Sequence, residues 1–351
     1  MITSNKYEST EEVYIYSTET VDYISTISMP SAKRMYFSDM YDLGLVTELD
    51  YNLIVYGDDY EADIEITPGY MSSTYLYIRG YIKFRNDTGT EYPAQDVTID
   101  IYDDDPIIGY HLLKSIKTSS TGYYTTSVQN DSSWLENGGL DIIVRVYFGN
   151  DDFHVEDFIF SYFFDFPKID NVSDGTLIRQ SVTFDANTER NEAMTIYQAG
   201  IVGFKYLRYL DYKSYYPYLT FDCPSFTGES YYTPILHTID LEFGYHSGWD
   251  TVLHEFGHFV GDLYGLHDFW PSIHGVHMNL IDTEGKDIGS MLAWAEGFGS
   301  YYSVVSQLRY GTGYVGVRNA GDNLYGNNNI ENNSYYLLGE GNEWVDRKSV
   351  V

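Results

Sequence analysis

Thr251-Val252-Leu253-His254-Glu255-Phe256-Gly257-His258-Phe259-Val260 is the stretch that decides how this chain is read. Two imidazoles four residues apart fall on one face of a helix and can grip one metal ion between them. Glu255, beside the first, stands where a base would be needed for a water held at that ion. Every other residue of the run is uncharged, as expected of a metal-bearing helix buried in a domain. Ser247 and Asp250 read as a capping box ahead of the run, and Gly261 reads as its C-terminal stop.

The wider composition limits what such a helix can serve. Of 351 residues, 52 are acidic and 20 basic, so the formal charge of −32 leaves no basic face for nucleic acid or an anionic membrane surface. Hydrophobic residues make up 43% and aromatics 17%, which suits a folded chain long enough for two domains. The single Cys223 excludes an internal disulfide and a cysteine-based zinc site. No stretch reaches the roughly 18 consecutive apolar residues of a membrane span, and Met1-Ile2-Thr3-Ser4-Asn5-Lys6 opens no signal-peptide pattern.

Working outward, strand-like runs dominate the first half. Val13-Tyr14-Ile15-Tyr16 and Leu53-Ile54-Val55-Tyr56 lie within residues 1–70, an extension with no assignable role. Runs at 76–84, 97–102, 111–117, 123–128 and 140–148 then recur between turn signals, with no helical pattern intervening, and predict an antiparallel β-sandwich over 71–166. After Pro167 the character changes. Residues 189–210 have helical spacing, Leu219-Thr220-Phe221 and Ile239-Asp240-Leu241-Glu242-Phe243 look like strands, and the metal-binding helix and a further helix follow. That order predicts an α+β domain over 167–351.

A catalytic zinc usually takes three protein ligands and leaves one position open. The third ligand has several candidates here. Glu296 is the only charge in Met291-Leu292-Ala293-Trp294-Ala295-Glu296-Gly297-Phe298-Gly299-Ser300, a helical stretch with Leu292, Ala293, Glu296 and Ser300 on one face, and it would be costly to bury alone. Small neighbours at Ala293 and Gly297 would let this helix approach the metal helix. Asp322, in Gly321-Asp322-Asn323-Leu324-Tyr325-Gly326, is a second candidate, and His267, His274 and His277 form a third group. Tyr264, six residues after His258, would be an unusual ligand and is rejected.

With Glu296 in an Ala-Glu-Gly-Phe setting downstream of the two histidines, residues 186–310 resemble the gluzincin metallopeptidases, the thermolysin-like and aminopeptidase-like group. The resemblance implies a multidomain chain, an N-terminal β-sandwich followed by an α+β zincin-like metallopeptidase domain. It further implies Zn2+ held by His254, His258 and Glu296, with Glu255 as general base in hydrolysis of a peptide or protein substrate. The oxyanion donor in this group is a Tyr or His, for which Tyr264, Tyr301, Tyr302 and Tyr325 are conceivable. An edge strand just before the metal helix would receive the substrate, a role for which 239–243 is placed. The missing Gly-x-Met-x-Asn motif favours an endopeptidase. Gluzincins continue past this point into a larger helical subdomain, so the resemblance implies either a fragment truncated at its C-terminus or a compact member.

The predicted sandwich resembles prealbumin-like or Ig-like accessory domains of microbial surface proteins and carboxypeptidases, through Gly80-Tyr81-Ile82, Val97-Thr98-Ile99-Asp100-Ile101 and the Gly122-Tyr123 that ends 118–123. That likeness implies an extracellular or cell-surface location. It also leaves a competing expectation, a surface adhesion or structural protein whose zincin domain is degenerate.

Overall fold

A computed structural model of the chain describes residues 60–310, apart from 71–73, 87–88, 106–108, 131–138, 158–159, 187, 212, 214, 225–229, 243–247 and 267–285. The strand-like runs at 13–16 and 53–56, together with Asp322, Tyr325, His267, His274 and His277, lie outside the described residues. The described part is β-rich, with three helices. Twelve strands come first: β1 (Tyr60–Thr67), β2 (Tyr75–Arg85), β3 (Glu91–Pro93), β4 (Thr98–Asp105), β5 (Gly109–Lys117), β6 (Tyr123–Gln129), β7 (Leu140–Tyr147), β8 (Phe153–Asp157), β9 (Phe160–Ser161), β10 (Phe163–Asp165), β11 (Ile169–Val172) and β12 (Leu177–Phe184). Helix α1 (Glu189–Leu210), strands β13 (Leu219–Asp222), β14 (Tyr231–Thr233) and β15 (Thr238–Asp240), and helices α2 (Trp249–Leu263) and α3 (Lys286–Tyr310) follow.

These strands build three sheets. The first has the order β1-β12-β2-β3, with β6 also on β2; the second has the order β10-β7-β4-β5, with β11 also on β7. Period-two alternation explains how they pack: on β2, Leu76, Ile78, Ile82 and Phe84 turn inward and are fully buried. Phe184 of β12 meets Phe148 and, across the two sheets, Phe164 of β10, with ring centroids 5.4 and 5.7 Å apart. The described pairings of these two sheets are antiparallel, as expected for 71–166, except for one made by a strand from beyond that range. β12 runs parallel to β2, because the chain crosses the whole second sheet before it returns to the first.

The third sheet has the order β14-β15-β13-β8-β9, with β8, β13 and β15 mutually parallel and β14 antiparallel to β15. Its pairing does not follow a boundary at 166/167. β8 and β9 come from the segment predicted as sandwich, yet β8 pairs with β13; β11 and β12 come after residue 167, yet pair with β7 and β2. The chain leaves the second sheet after β7, contributes β8 and β9 to the third, and returns as β10.

Helix α1 is capped by Thr188, whose hydroxyl accepts from the Asn191 amide, and it carries Glu189 and Glu192 in its first turn, where they favour the helix dipole. Its buried polar side chains stitch it to the first sheet and the turn that follows. Asn191 exchanges two hydrogen bonds with the Arg85 backbone, at 2.9 and 2.8 Å, and Gln198 exchanges two with the Gln95 backbone, at 3.2 and 3.1 Å. Tyr197 donates to the Asp96 carbonyl at 2.7 Å. Two turns beyond Tyr197 on α1, Phe204 stacks on Phe153 of β8 at 5.3 Å and meets Phe256 of α2 edge-on at 5.0 Å. One aromatic side chain therefore joins the third sheet to the helix that carries the histidines.

Because β8 is an inner strand of the third sheet, a chain begun at residue 167 loses one of the two partners of β13 and the ring on which Phe204 stacks. Such a fragment is expected to lack the cooperative thermal transition and near-UV circular dichroism of the full chain. Retention of both would show that the third sheet stands without β8.

Candidate metal centre

Helix α2 forms where the motif predicted it, but its ends differ from expectation. Gly248 is the N-cap and supplies no side-chain cap, while Ser247 lies outside the described residues. The Asp250 carboxylate accepts from Gln307 at 2.5 Å and from Ser303 at 3.4 Å, both on α3. Gly261 lies within the helix, which runs one turn further. Gly265, at φ +58°, follows the C-cap Tyr264, and the Gly265 and Leu266 amides donate to the carbonyls of Asp262 and Gly261. This is a Schellman closure.

Helices α2 and α3 run antiparallel and in close contact. A Cβ on Gly257 would stand 2.7 Å from the Gly299 Cα, and one on Gly299 would stand 3.0 Å from the His254 carbonyl oxygen. The glycines brought into backbone contact are thus Gly257 and Gly299, a pair that sequence spacing did not single out; Ala293, one of the small residues it did, is buried. Ser303 donates to the Asp250 carbonyl at 3.1 Å, and Tyr302 donates to the Gly203 carbonyl of α1 at 2.8 Å, so all three helices are locked together.

That crossing brings three of the sequence-predicted residues to one point. His254, His258 and Glu296 are buried, and one ligand atom from each lies within 4.8 Å of the others. His254 Nε2 is 2.9 Å from Glu296 Oε2 and 3.1 Å from His258 Nε2; His258 Nε2 is 3.4 Å from Glu296 Oε1. Tetrahedral ligands about 2.1 Å from one zinc stand roughly 3.4 Å apart, so the three spacings fit a single small cation. The donor set is also chemically apt: two neutral imidazoles and a carboxylate suit zinc, and lone pairs crowded in a buried site repel unless a proton or a metal lies between them.

Glu255 is buried as well, and its charge bears on Asp240 at the end of β15. Burial is the main reason that the Asp240 carboxyl is pushed up to about 6; Tyr231 opposes the shift by hydrogen bonding, while Glu255 and Glu156 add to it. Register explains the clustering. Tyr231, Asp240, Asp222 and Glu156 are successive partners across β14, β15, β13 and β8. Sequence reasoning missed this row, because only strand order makes neighbours of residues so far apart.

The tyrosines proposed as oxyanion donors are engaged elsewhere where they are described. Tyr302 is committed to Gly203, Tyr301 bonds Tyr206, and Tyr264 donates to Asp211 while the Lys213 ammonium lies over its ring. The strand expected to receive substrate is also corrected. Thr238–Asp240 is an inner strand, flanked by β13 and β14, and among the described residues the edge beside α2 is β14, whose Tyr232 donates to Asp262 of α2 at 2.9 Å. Residues 243–247 lie outside the described residues.

No protein-family description matches the chain, and no curated protein matches it. Among solved structures, a 9R-lipoxygenase from Cyanothece PCC8801 aligns at 12% identity and TM-score 0.21, over 43% of this chain and 27% of that one. A shaft pilin from Lactobacillus rhamnosus GG aligns at 12% identity and TM-score 0.19, over 32% and 52%. A 3-chlorocatechol 1,2-dioxygenase from Rhodococcus opacus 1CP aligns at 13% identity and TM-score 0.19, over 32% and 61%. Likenesses this slight carry no argument about fold or activity.

Two outcomes follow from the packing and the charges. Gly257→Ala gains about 1 kcal/mol of helix propensity but forces a methyl against backbone, a strain of about 1–3 kcal/mol, so denaturant unfolding is expected to show a net loss of stability. An unchanged or higher midpoint would mean that the helices can part freely. For Asp240, the unfolded chain titrates near 3.8 and the folded chain near 6, so the folded state holds the extra proton between these values. Its stabilising contribution is present below about pH 4 and is lost as pH rises through about 6. Asp240→Asn is therefore expected to stabilise the protein at pH 7.5 relative to wild type, with the gain shrinking toward pH 4. A difference independent of pH would contradict this account.

Proposed function

We propose that this protein is a zinc-dependent metallopeptidase of the gluzincin type, with His254, His258 and Glu296 as metal ligands and Glu255 as general base. The observation that carries the reading is the convergence of two imidazoles and a carboxylate, all buried, at spacings suited to one cation. A mixed sheet backed by α1, with a metal-bearing helix after its last strand and a third-ligand helix beyond, also suits an α+β zincin-like domain. No described helix is long and apolar enough to cross a membrane. An extracellular or cell-surface location is part of the proposal and rests on the resemblance of the sandwich.

Zinc bound at these ligands would supply a Lewis acid that lowers the pKa of a water to about 7. The chain's own residues do the rest. Glu255, one residue from a ligand, would take a proton from the attacking water as the new C–O bond forms and then hand it to the amine nitrogen, so that the peptide C–N bond breaks and the amine leaves neutral. The substrate, an extended peptide or protein segment, adds to β14, which is the edge next to α2 among the described residues. This arrangement suits cleavage within a chain, consistent with an endopeptidase.

Metal analysis of the purified protein is expected to find one zinc per chain, lost in His254→Ala and in Glu296→Gln. Glu255→Ala is expected to keep the metal and lose about 100- to 10,000-fold of the hydrolysis of an unfolded casein substrate. Loss of zinc in His254→Ala but not in Glu296→Gln would move the third ligand to Asp322 or a histidine. A folded protein without zinc or hydrolysis would instead favour an adhesion or structural role with a degenerate site.

A further inference from the structure

Ser300 lies on α3 one turn beyond Glu296, is buried, and faces the side of the His254 ring away from the candidate ligands. Its hydroxyl donates to the Glu296 carbonyl at 3.0 Å, and its oxygen is 3.2 Å from His254 Nδ1. A serine hydroxyl has one proton and two lone pairs. With the proton given to the carbonyl, the oxygen can only accept from the ring, which requires the hydrogen of His254 to be on Nδ1. Nε2 then presents a lone pair toward His258 Nε2 and Glu296 Oε2, at 3.1 and 2.9 Å. The opposite tautomer would put a hydrogen on Nε2, in the space a cation has to enter.

We infer that Ser300 is a positioning residue that holds His254 in its metal-ligating tautomer and fixes the ring plane, an inference that rests on the metal centre proposed above. The arrangement is compact because ligand and positioner are four residues apart on one helix. Glu296 offers its carboxylate to the cation side, while its carbonyl takes the hydroxyl that steers the partner histidine. Gly299, between them in sequence, lets the ring approach: a Cβ there would stand 3.1 Å from His254 Cε1 and 3.2 Å from Nδ1.

The test uses the full chain, with zinc alone as the probe. Chelator competition should show Ser300→Ala binding zinc about 10- to 100-fold more weakly than wild type, as is usual when a histidine ligand loses its outer hydrogen-bond partner, and Ser300→Thr recovering most of that loss. Nitrogen-15 spectra of the histidine rings in the zinc-loaded wild type should show the His254 proton on Nδ1, protected from exchange, and Ser300→Ala should lose that protection. Equal zinc affinity in wild type and Ser300→Ala, or a His254 ligated through Nδ1, overturns the inference while leaving the metal centre intact. Failure of the wild type to bind zinc overturns the metal centre itself. Should Ser300→Thr not fold, the ring spectra of wild type and Ser300→Ala still decide the question.

Discussion

The close crossing of α2 and α3 at Gly257 and Gly299 is the constraint on which the rest depends. Two helices that carry ordinary side chains at their contact stay 8–10 Å apart. With glycine facing glycine, backbone meets backbone, and a carboxylate on one helix reaches imidazoles on the other. His254 then has a ligand candidate on its Nε2 side and a hydroxyl on its Nδ1 side, both from α3. Asp250, Ser303 and Gln307 hold the same crossing further along, so that the helices cannot slide without leaving buried polar groups unpaired.

The crossing is itself braced from beneath. Phe204 of α1 touches the sheet through Phe153 and α2 through Phe256, and Tyr302 reaches back from α3 to the α1 carbonyl at Gly203. α1 is in turn fixed to the chain around the first sheet by amide side chains that pair reciprocally with backbone, which keeps those buried polar groups satisfied. Because the chain leaves the second sheet after β7, supplies β8 and β9 to the third and returns as β10, the two-sheet body and the third sheet are joined by the chain path as well as by contacts.

The acidic row across β8, β13 and β15 gives the third sheet a charge that burial makes unfavourable, and Asp240 meets it by titrating late. A carboxylate beside Glu255 raises the energetic cost of a second negative charge there, which a nearby cation would relieve.

Much of this was legible from local pattern. Period-two runs marked β2, β4, β5, β6 and β7, helical spacing marked 189–210, and an apolar frame around paired histidines marked α2, because each depends only on residues within a turn or a strand. Glu296 stood out as the lone charge in an apolar stretch. What local pattern could not supply was partnership. That β12 lies parallel to β2, that β8 serves another sheet, that β14 and not β15 is the edge, and that Ser300 meets Nδ1 of a ring 46 positions away all depend on how distant elements cross. Periodicity states which face of an element is buried; only the packed fold decides what that face is buried against.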